Sequence, residues 1–222
     1  MTANTTLTLK EICENAATAG RDIDLAGCEY GPHKRTAQHY GVQGYYYFLA
    51  GFARSQQCRR ILEVGTSYGG SMMAMSRGCP TDGDVQLVTV DKVDIAGSGL
   101  TSLTNIARVH GSSLEEETLA KVKKHLSRPI DLFYLDSKHS YDHTTGNMRI
   151  YCKAFSPRFA ILDDIHLNPE MDKSWSEIVQ KFGENAFDAT EVAGRACGFG
   201  VIDLSKGGSG GLSGIFRKLF GG

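Results

Sequence analysis

The sequence predicts an α/β protein: a doubly wound, mostly parallel sheet of seven strands that ends in an antiparallel hairpin. Three observations predict it. Short apolar runs at 61–64, 85–90, 107–111, 130–135 and 159–162 alternate with helical patterns, which is the signature of a parallel sheet with crossover helices. The stretch Arg60-Ile-Leu-Glu-Val-Gly-Thr-Ser-Tyr-Gly-Gly-Ser71 reads as strand, glycine turn and helix. Gly65, Asp91, Gly111, Asp136 and Asp163 all fall at predicted strand ends. Right-handed crossovers put those ends on one rim, where such sheets bind ligands.

A length of 222 residues suits one domain, and 41% hydrophobic with 22% charged residues is ordinary for a soluble globular chain. A formal net charge of -1 supplies no basic field for nucleic acid. The six cysteines include no C-x-x-C pair, which argues for reduced thiols and against a zinc site or disulfide framework. No apolar run is long enough to span a membrane. Met1-Thr-Ala-Asn-Thr-Thr6 lacks the basic and apolar parts of a signal peptide, so the expected location is cytoplasmic. The expected organisation is a single domain over 1–206, with a helical cap region at 1–58, and a glycine-rich tail over 207–222.

Residues 7–20 read as a short helix, capped near Thr6 or Thr8 and ended by Gly20. Gly27 to His39 reads as loop, with Tyr30, His33, Lys34, Arg35, His39 and Tyr40 either covering a ligand or forming a solvated linker. In 41–54, Tyr45, Phe48, Leu49 and Phe52 recur at helical spacing. That helix packs beside the first strand, with Gln43 near its start facing the bound ligand. Strand 61–64 and helix 71–77 follow, then a turn at 80–83, strand 85–90, a helix at 99–106 and strand 107–111. Ser112-Ser-Leu-Glu-Glu-Glu-Thr118 opens another helix, with serine caps and early acids at its N-terminus. Strand 130–135, helix 141–154, strand 159–162 and a helix over 172–182 containing Trp175 complete the alternation. Strands near 186–192 and 199–204 form the hairpin. After Lys206, a glycine tether leads to Ile215-Phe-Arg-Lys-Leu-Phe220, which is a lid, a membrane-surface or dimer contact, or a loosely docked tail.

The glycine turn carries the first chemical signal. Its pattern is E-x-G-x-x-x-G-x-S, running from Glu63 through Gly65 and Gly69 to Ser71. A nicotinamide-binding G-x-G-x-x-G would need a glycine where Ser67 stands. Bare backbone N–H groups and a helix N-terminus face the ligand there. Asp91, ending the second strand, suits a ribose diol. Glu63 is flanked by apolar residues and is costly without a partner. Asp136, Asp163 and Asp164 end neighbouring strands about 5 Å apart. They either converge on one hard cation, Mg²⁺, Mn²⁺ or Ca²⁺ rather than zinc, or serve as caps and solvated loop acids.

The turn resembles motif I of class I S-adenosylmethionine-dependent methyltransferases, which have a Rossmann-like fold. The run from Val42-Gln-Gly-Tyr45 through Ser71 is similar to the start of the catechol and caffeoyl-coenzyme A O-methyltransferase group. Leu135-Asp-Ser-Lys-His-Ser-Tyr141 is similar to that group's L-D-x-x-K-x-x-Y, and to the D-x-x-H-x-Y of related small-molecule methyltransferases. Leu162-Asp-Asp-Ile-His166 resembles its D-N or D-D metal pair. The sequence departs from the group at Ser156-Pro-Arg158, where a glycine pair is usual, and at Ile165-His-Leu-Asn-Pro169.

The resemblance implies S-adenosylmethionine as cofactor, held by Gln43, Glu63, Gly65, Thr66, Ser67, Gly69, Ser71, Asp91, Gly111, Ser112, Ser113 and Asp136. Glu63 would hold either the turn or the cofactor's amino-acid end. The resemblance also implies a divalent cation, Mg²⁺ first, on Asp136, Asp163 and Asp164, and a small-molecule hydroxyl as acceptor. A bound cation would lower that hydroxyl's pKa. His139 or Lys138 would take the proton, His139 preferred because imidazoles titrate near neutral pH; His166 is a further candidate. A metal-independent methyltransferase of this fold and a non-enzymatic adenosine-binding protein remain as alternatives.

Overall fold

The structure, a computed structural model, describes residues 7–29, 31, 41–93, 100 and 103–205. Helix α1 spans Leu9–Gly20 behind a reciprocal capping box, in which Thr8 and Glu11 each bond the other's backbone N–H. Helix α2 covers Gly44–Ser55, strand β1 Arg60–Val64 and helix α3 Gly70–Gly78. Strands β2 (Gln86–Asp91) and β3 (Ile106–His110) are followed by α4 (Glu116–Val122), β4 (Leu132–Leu135) and α5 (Tyr141–Phe155). Then come β5 (Phe159–Asp163), α6 (Pro169–Phe182), β6 (Ala186–Asp188), the single-turn α7 (Thr190–Ala193) and β7 (Phe199–Asp203).

The seven strands order as β3-β2-β1-β4-β5-β7-β6. β1 pairs in parallel with both β2 and β4, while β7 runs antiparallel to β5 and β6. The chain winds outward from β1 to β3, then returns to β4 at β1's other side. The strand order therefore reverses between β1 and β4, and a crevice opens at that point on the C-terminal rim.

Two apolar layers sandwich the sheet. Ile61, Leu87, Leu132 and Ile161 face α1, α2, α3 and α7; Leu62, Val88, Phe133 and Ala160 face α4, α5 and α6. The alternation along each strand follows from the two-residue period of a pleat. Each large apolar side chain buried this way stabilises the fold by roughly 1.5–3 kcal/mol. Phe199 on β7 meets Phe48 edge-on at 5.6 Å and lies 5.9 Å from Tyr45. Those ring contacts fasten the entry to β7 against α2. No helix among the described residues is long and apolar enough to cross a membrane.

Several boundaries differ from expectation. Between β2 and β3 the described residues show Leu100 in a 3-10 turn, its carbonyl accepting the Leu103 N–H, then coil and turn to Asn105; β3 starts at Ile106, and 99, 101 and 102 lie outside the described residues. The serines do not cap α4; its N-cap is Glu115, whose N–H instead bonds the Ser112 carbonyl. Helix α6 begins earlier, because the Asn168 side chain accepts from Glu170 and Met171 N–H and Pro169 sits at the first turn. Strand β6 is short because Asp188 bonds the Thr190 N–H and starts α7. The ligand-covering loop expected over Tyr30 and 32–40, and the tail over 207–222, lie outside the described residues.

Candidate active site

The glycine turn is held from beneath by Glu63. This carboxyl is fully buried. Ser71 Oγ donates to its Oε1 and Thr89 Oγ1 to its Oε2, each at 2.5 Å, and Thr66 lies 2.5 Å from Thr89. Burial pushes the Glu63 carboxyl up to about 7 against the two hydroxyls, which pull it down. Glu63 thus ties β1 to β2 and to the start of α3. It presents no surface to a ligand, so of its two expected roles the structure carries the first.

Above it, Gly65 adopts φ +103°, and a Cβ there would lie 1.6 Å from the Asp136 carbonyl oxygen. Only glycine lets the β1 end run this close to the β4 end. Ser67 N–H donates to Asp91 Oδ2 at 3.0 Å, and Val93 N–H donates to Oδ1 at 2.9 Å. Gly111 continues the ladder to the Asp91 carbonyl at 2.9 Å. At φ +154°, a Cβ on Gly111 would meet Thr118 Oγ1 at 2.2 Å.

Between these strand ends opens a cleft of about 480 Å³, lined by Gly65, Ser67, Asp91, Lys92, Gly111, Ser112, Ser113, Asp136, Lys138, His139 and His143 among others. That volume lies within the usual range for small-molecule sites. A smaller hollow, about 160 Å³, flanks the other side of Asp91 and includes Thr66. Gln43 is the N-cap of α2 with its amide turned to the Gly41 carbonyl. Gln43, Glu63, Gly69 and Ser71 do not line the cleft, and Thr66 lines only the hollow. Gly69 faces Leu100 and Ser71 faces Glu63. Glu63, Thr66, Gly69 and Ser71 shape the turn rather than the cleft wall, and Gln43 stands at the start of α2.

At the far end stand the carboxylates. His139 Nε2 lies 3.3 Å from Asp164 Oδ2 and 3.7 Å from Asp136 Oδ1. The first turn of α6 fixes its loop: Asn168 Nδ2 donates to the His139 carbonyl at 3.1 Å, and Tyr141 N–H donates to Glu170 at 2.9 Å. The Asp136 carboxyl is held well above the usual carboxylate range, first by burial, then by the charges of Asp163 and Asp164. Asp163 and Asp164 do not open onto the cleft. Asp163 is fully buried and takes a two-pronged bond from Arg195, Nε to Oδ1 and Nη2 to Oδ2, each 2.9 Å. Arg195 Nη2 also lies 2.9 Å from Asp164 Oδ1, an ion pair out of hydrogen-bond alignment. Among the described residues, no three His, Cys, Asp or Glu side chains are disposed to hold a metal ion.

Lys138 is exposed at the cleft edge. His166 is elsewhere: its Nδ1 pairs with Asp172 at 2.9 Å and its Nε2 with Asp188 at 2.8 Å. With both ring nitrogens committed to carboxylates, it clamps α6 to β6 and is withdrawn as a base candidate. Two residues escaped the sequence reading. Arg195 is one. His143 is the other: it lines the cleft, its Nδ1 receiving Asn147 Nδ2 at 2.9 Å with Ser137 Oγ at 3.2 Å. Burial, then the Lys138 and Lys92 charges, lower its pKa, so it is a neutral imidazole at neutral pH with its proton on Nε2. A His–Asn spacing of four just after the Asp136 loop was the available signal.

Residues 62–165 match the family described as a methyltransferase domain. Its fold is similar to that of an O-methyltransferase from Bacillus cereus in complex with SAH, with 19% identity, 88% of this chain and 90% of that chain covered, and a TM-score of 0.55. It is similar to TomG from Streptomyces achromogenes, an O-methyltransferase of tomaymycin synthesis in complex with SAM, with 21% identity, 87% and 89% coverage and a TM-score of 0.56. It is also similar to SAH-bound PaMTH1, a methyltransferase from Podospora anserina, with 16% identity, 90% of each chain covered and a TM-score of 0.56. No curated protein matches the chain. In this fold the cleft lies at the β1–β4 reversal, and β6, paired to β7, forms the far edge of the sheet.

Proposed function

We propose that the protein transfers a methyl group from S-adenosylmethionine to the hydroxyl of a small molecule. The observation that carries this reading is one cleft with a ribose-competent acid, Asp91, at one end and a carboxylate-backed imidazole, His139, at the other.

The residues fit the cofactor. Each Asp91 oxygen accepts one backbone N–H and keeps lone-pair capacity for a ribose hydroxyl. Gly65 lets the β1 end lie against the Asp136 backbone at the cleft floor, and Gly111, Ser112 and Ser113 form the wall for the adenine. When bound, S-adenosylmethionine supplies a methyl carbon made electrophilic by its sulfonium. The chain's part is then approach, alignment and removal of one proton. With Nε2 of His139 set against Asp164 and Asp136, the other ring nitrogen, Nδ1, is the acceptor for the hydroxyl proton. Lys138 stands at the cleft edge as the second candidate.

The divalent cation implied by the resemblance does not fit these residues as they stand. Both Asp163 oxygens and one of Asp164 already answer to a guanidinium.

The test is direct. The purified protein is incubated with S-adenosylmethionine and a panel of phenols, sugars and other hydroxyl compounds, and methylated product is sought by mass spectrometry. SAH affinity is measured in parallel by calorimetry. Tight NAD binding with no SAH binding would sink the reading. SAH binding with no turnover across a broad panel favours a non-enzymatic adenosine-binding role.

A further inference from the structure

We infer that Arg195 is a built-in cation: its guanidinium occupies the position between Asp163 and Asp164 that a divalent ion would need, and the cluster takes no metal. Two buried neighbouring carboxylates cannot both stay ionised without a positive charge beside them. Here that charge comes from the chain. The fork of Nε and Nη2 matches both Asp163 oxygens at 2.9 Å, and Nη2 reaches Asp164 at the same distance. A guanidinium stays charged at every working pH, and its planar fork gives this geometry where a lysine cannot.

The arginine is fixed independently of the acids. Its carbon Cζ lies 4.7 Å above the Tyr45 ring, a cation–π contact. Its backbone is bonded on both sides, Arg195 N–H to the Thr190 carbonyl and Gly198 N–H to the Arg195 carbonyl, each 3.1 Å. The antiparallel register of β7 on β5 sets Phe199 opposite Asp163, which brings the preceding loop to the acids. A divalent ion on Asp163 would have to displace this side chain and then share the site with an unpaired guanidinium, a like-charge contact in a partly buried place.

The inference rests on the cluster itself; only its consequence for catalysis, that methyl transfer persists in chelator, rests on the reading above. The experiment titrates the full chain with Mn²⁺, read by calorimetry and by the loss of the free-ion paramagnetic signal. It compares the wild type with Asp163→Asn, Arg195→Met and the double variant. The expected result is no Mn²⁺ site in the wild type at submillimolar ion. Arg195→Met, which keeps an apolar stem but removes the charge, should bind one Mn²⁺ at least about tenfold more tightly than the wild type, and adding Asp163→Asn should abolish it. A wild-type Mn²⁺ site that Asp163→Asn removes overturns the inference, and so does an Arg195→Met protein that is folded by circular dichroism but binds no better than wild type. If Arg195→Met does not fold, Arg195→Gln takes its place under the same criteria. Failure of the wild type to bind SAH would overturn the methyltransferase reading and leave this titration readable.

Discussion

Ser67 and Asp91 brace each other across the mouth of the cleft. The Ser67 N–H donates to Asp91 Oδ2 at 3.0 Å, with Ser67 itself in left-handed backbone at φ 45°. The acid at the end of β2 thus sets the shape of the turn after β1 while keeping lone pairs for a diol. Replacing it should harm binding twice, through the lost ribose contact and the loosened turn. Asp91→Ala is expected to weaken SAH by about 1.5–3 kcal/mol, the scale of a charged hydrogen bond, with the melting temperature little changed. Calorimetry checks it, and unaltered SAH affinity would remove Asp91 from the ribose role.

Glu63 gives a pH prediction with a definite sign. Its folded carboxyl lies near 7 against an ordinary 4.5. The folded state therefore holds its proton more tightly than the unfolded chain, and stability falls as pH rises from about 4.5 to 7, then levels. The difference amounts to roughly 3 kcal/mol. Glu63→Gln, neutral and similar in shape, should lift this dependence: the variant should gain on the wild type in thermal stability between pH 5 and pH 8. An equal difference at both pH values would contradict the burial argument.

The rim was legible because strand ends follow from apolar runs, and a parallel sheet sends every such end to one side. Asp91, Asp136 and His139 could be placed for that reason, and all three line the cleft. Glu63 was legible as a problem, a carboxylate among apolar neighbours, but not its solution, since Thr89 reaches it from the neighbouring strand and Ser71 from the start of α3. Arg195 was not legible. It lies 32 positions from Asp163 in sequence, and its approach depends on the β7 register and on Phe199 seating against α2. The carboxylates read as metal ligands because spacing counts negative charges and says nothing of a guanidinium arriving from a distant loop.

His166 should prove a clamp. Its pKa is raised by hydrogen bonds to Asp172 and Asp188. Its stabilising effect is thus fully present below the ordinary histidine range and fades as pH rises through the raised value. The ring is partly exposed, so solvent screens the pairs and the effect is modest. His166→Gln should lower the melting temperature more at pH 5.5 than at pH 9 while leaving the turnover rate at 25 °C near wild type. A large loss of turnover in a folded variant would return His166 to the reaction.

His139 and His143 share the cleft, and their surroundings assign them different work. His139 sets Nε2 against two carboxylates, which leaves Nδ1 as the nitrogen to take the hydroxyl proton. His143 has its Nδ1 occupied by Asn147 and is kept neutral by burial and by the Lys138 and Lys92 charges. It suits a fixed donor better than a base. His139→Gln should lower kcat by about 10²–10⁴-fold, the usual worth of general base catalysis, with SAH affinity intact. It should also flatten the acid limb of the pH–rate profile. His143→Gln keeps a donor and should change KM more than kcat, leaving that limb in place. Steady-state rates from pH 5.5 to 9 on both variants decide it. A lost acid limb in His143→Gln with a retained one in His139→Gln would reverse the assignment, since the base is whichever imidazole's removal abolishes the titration.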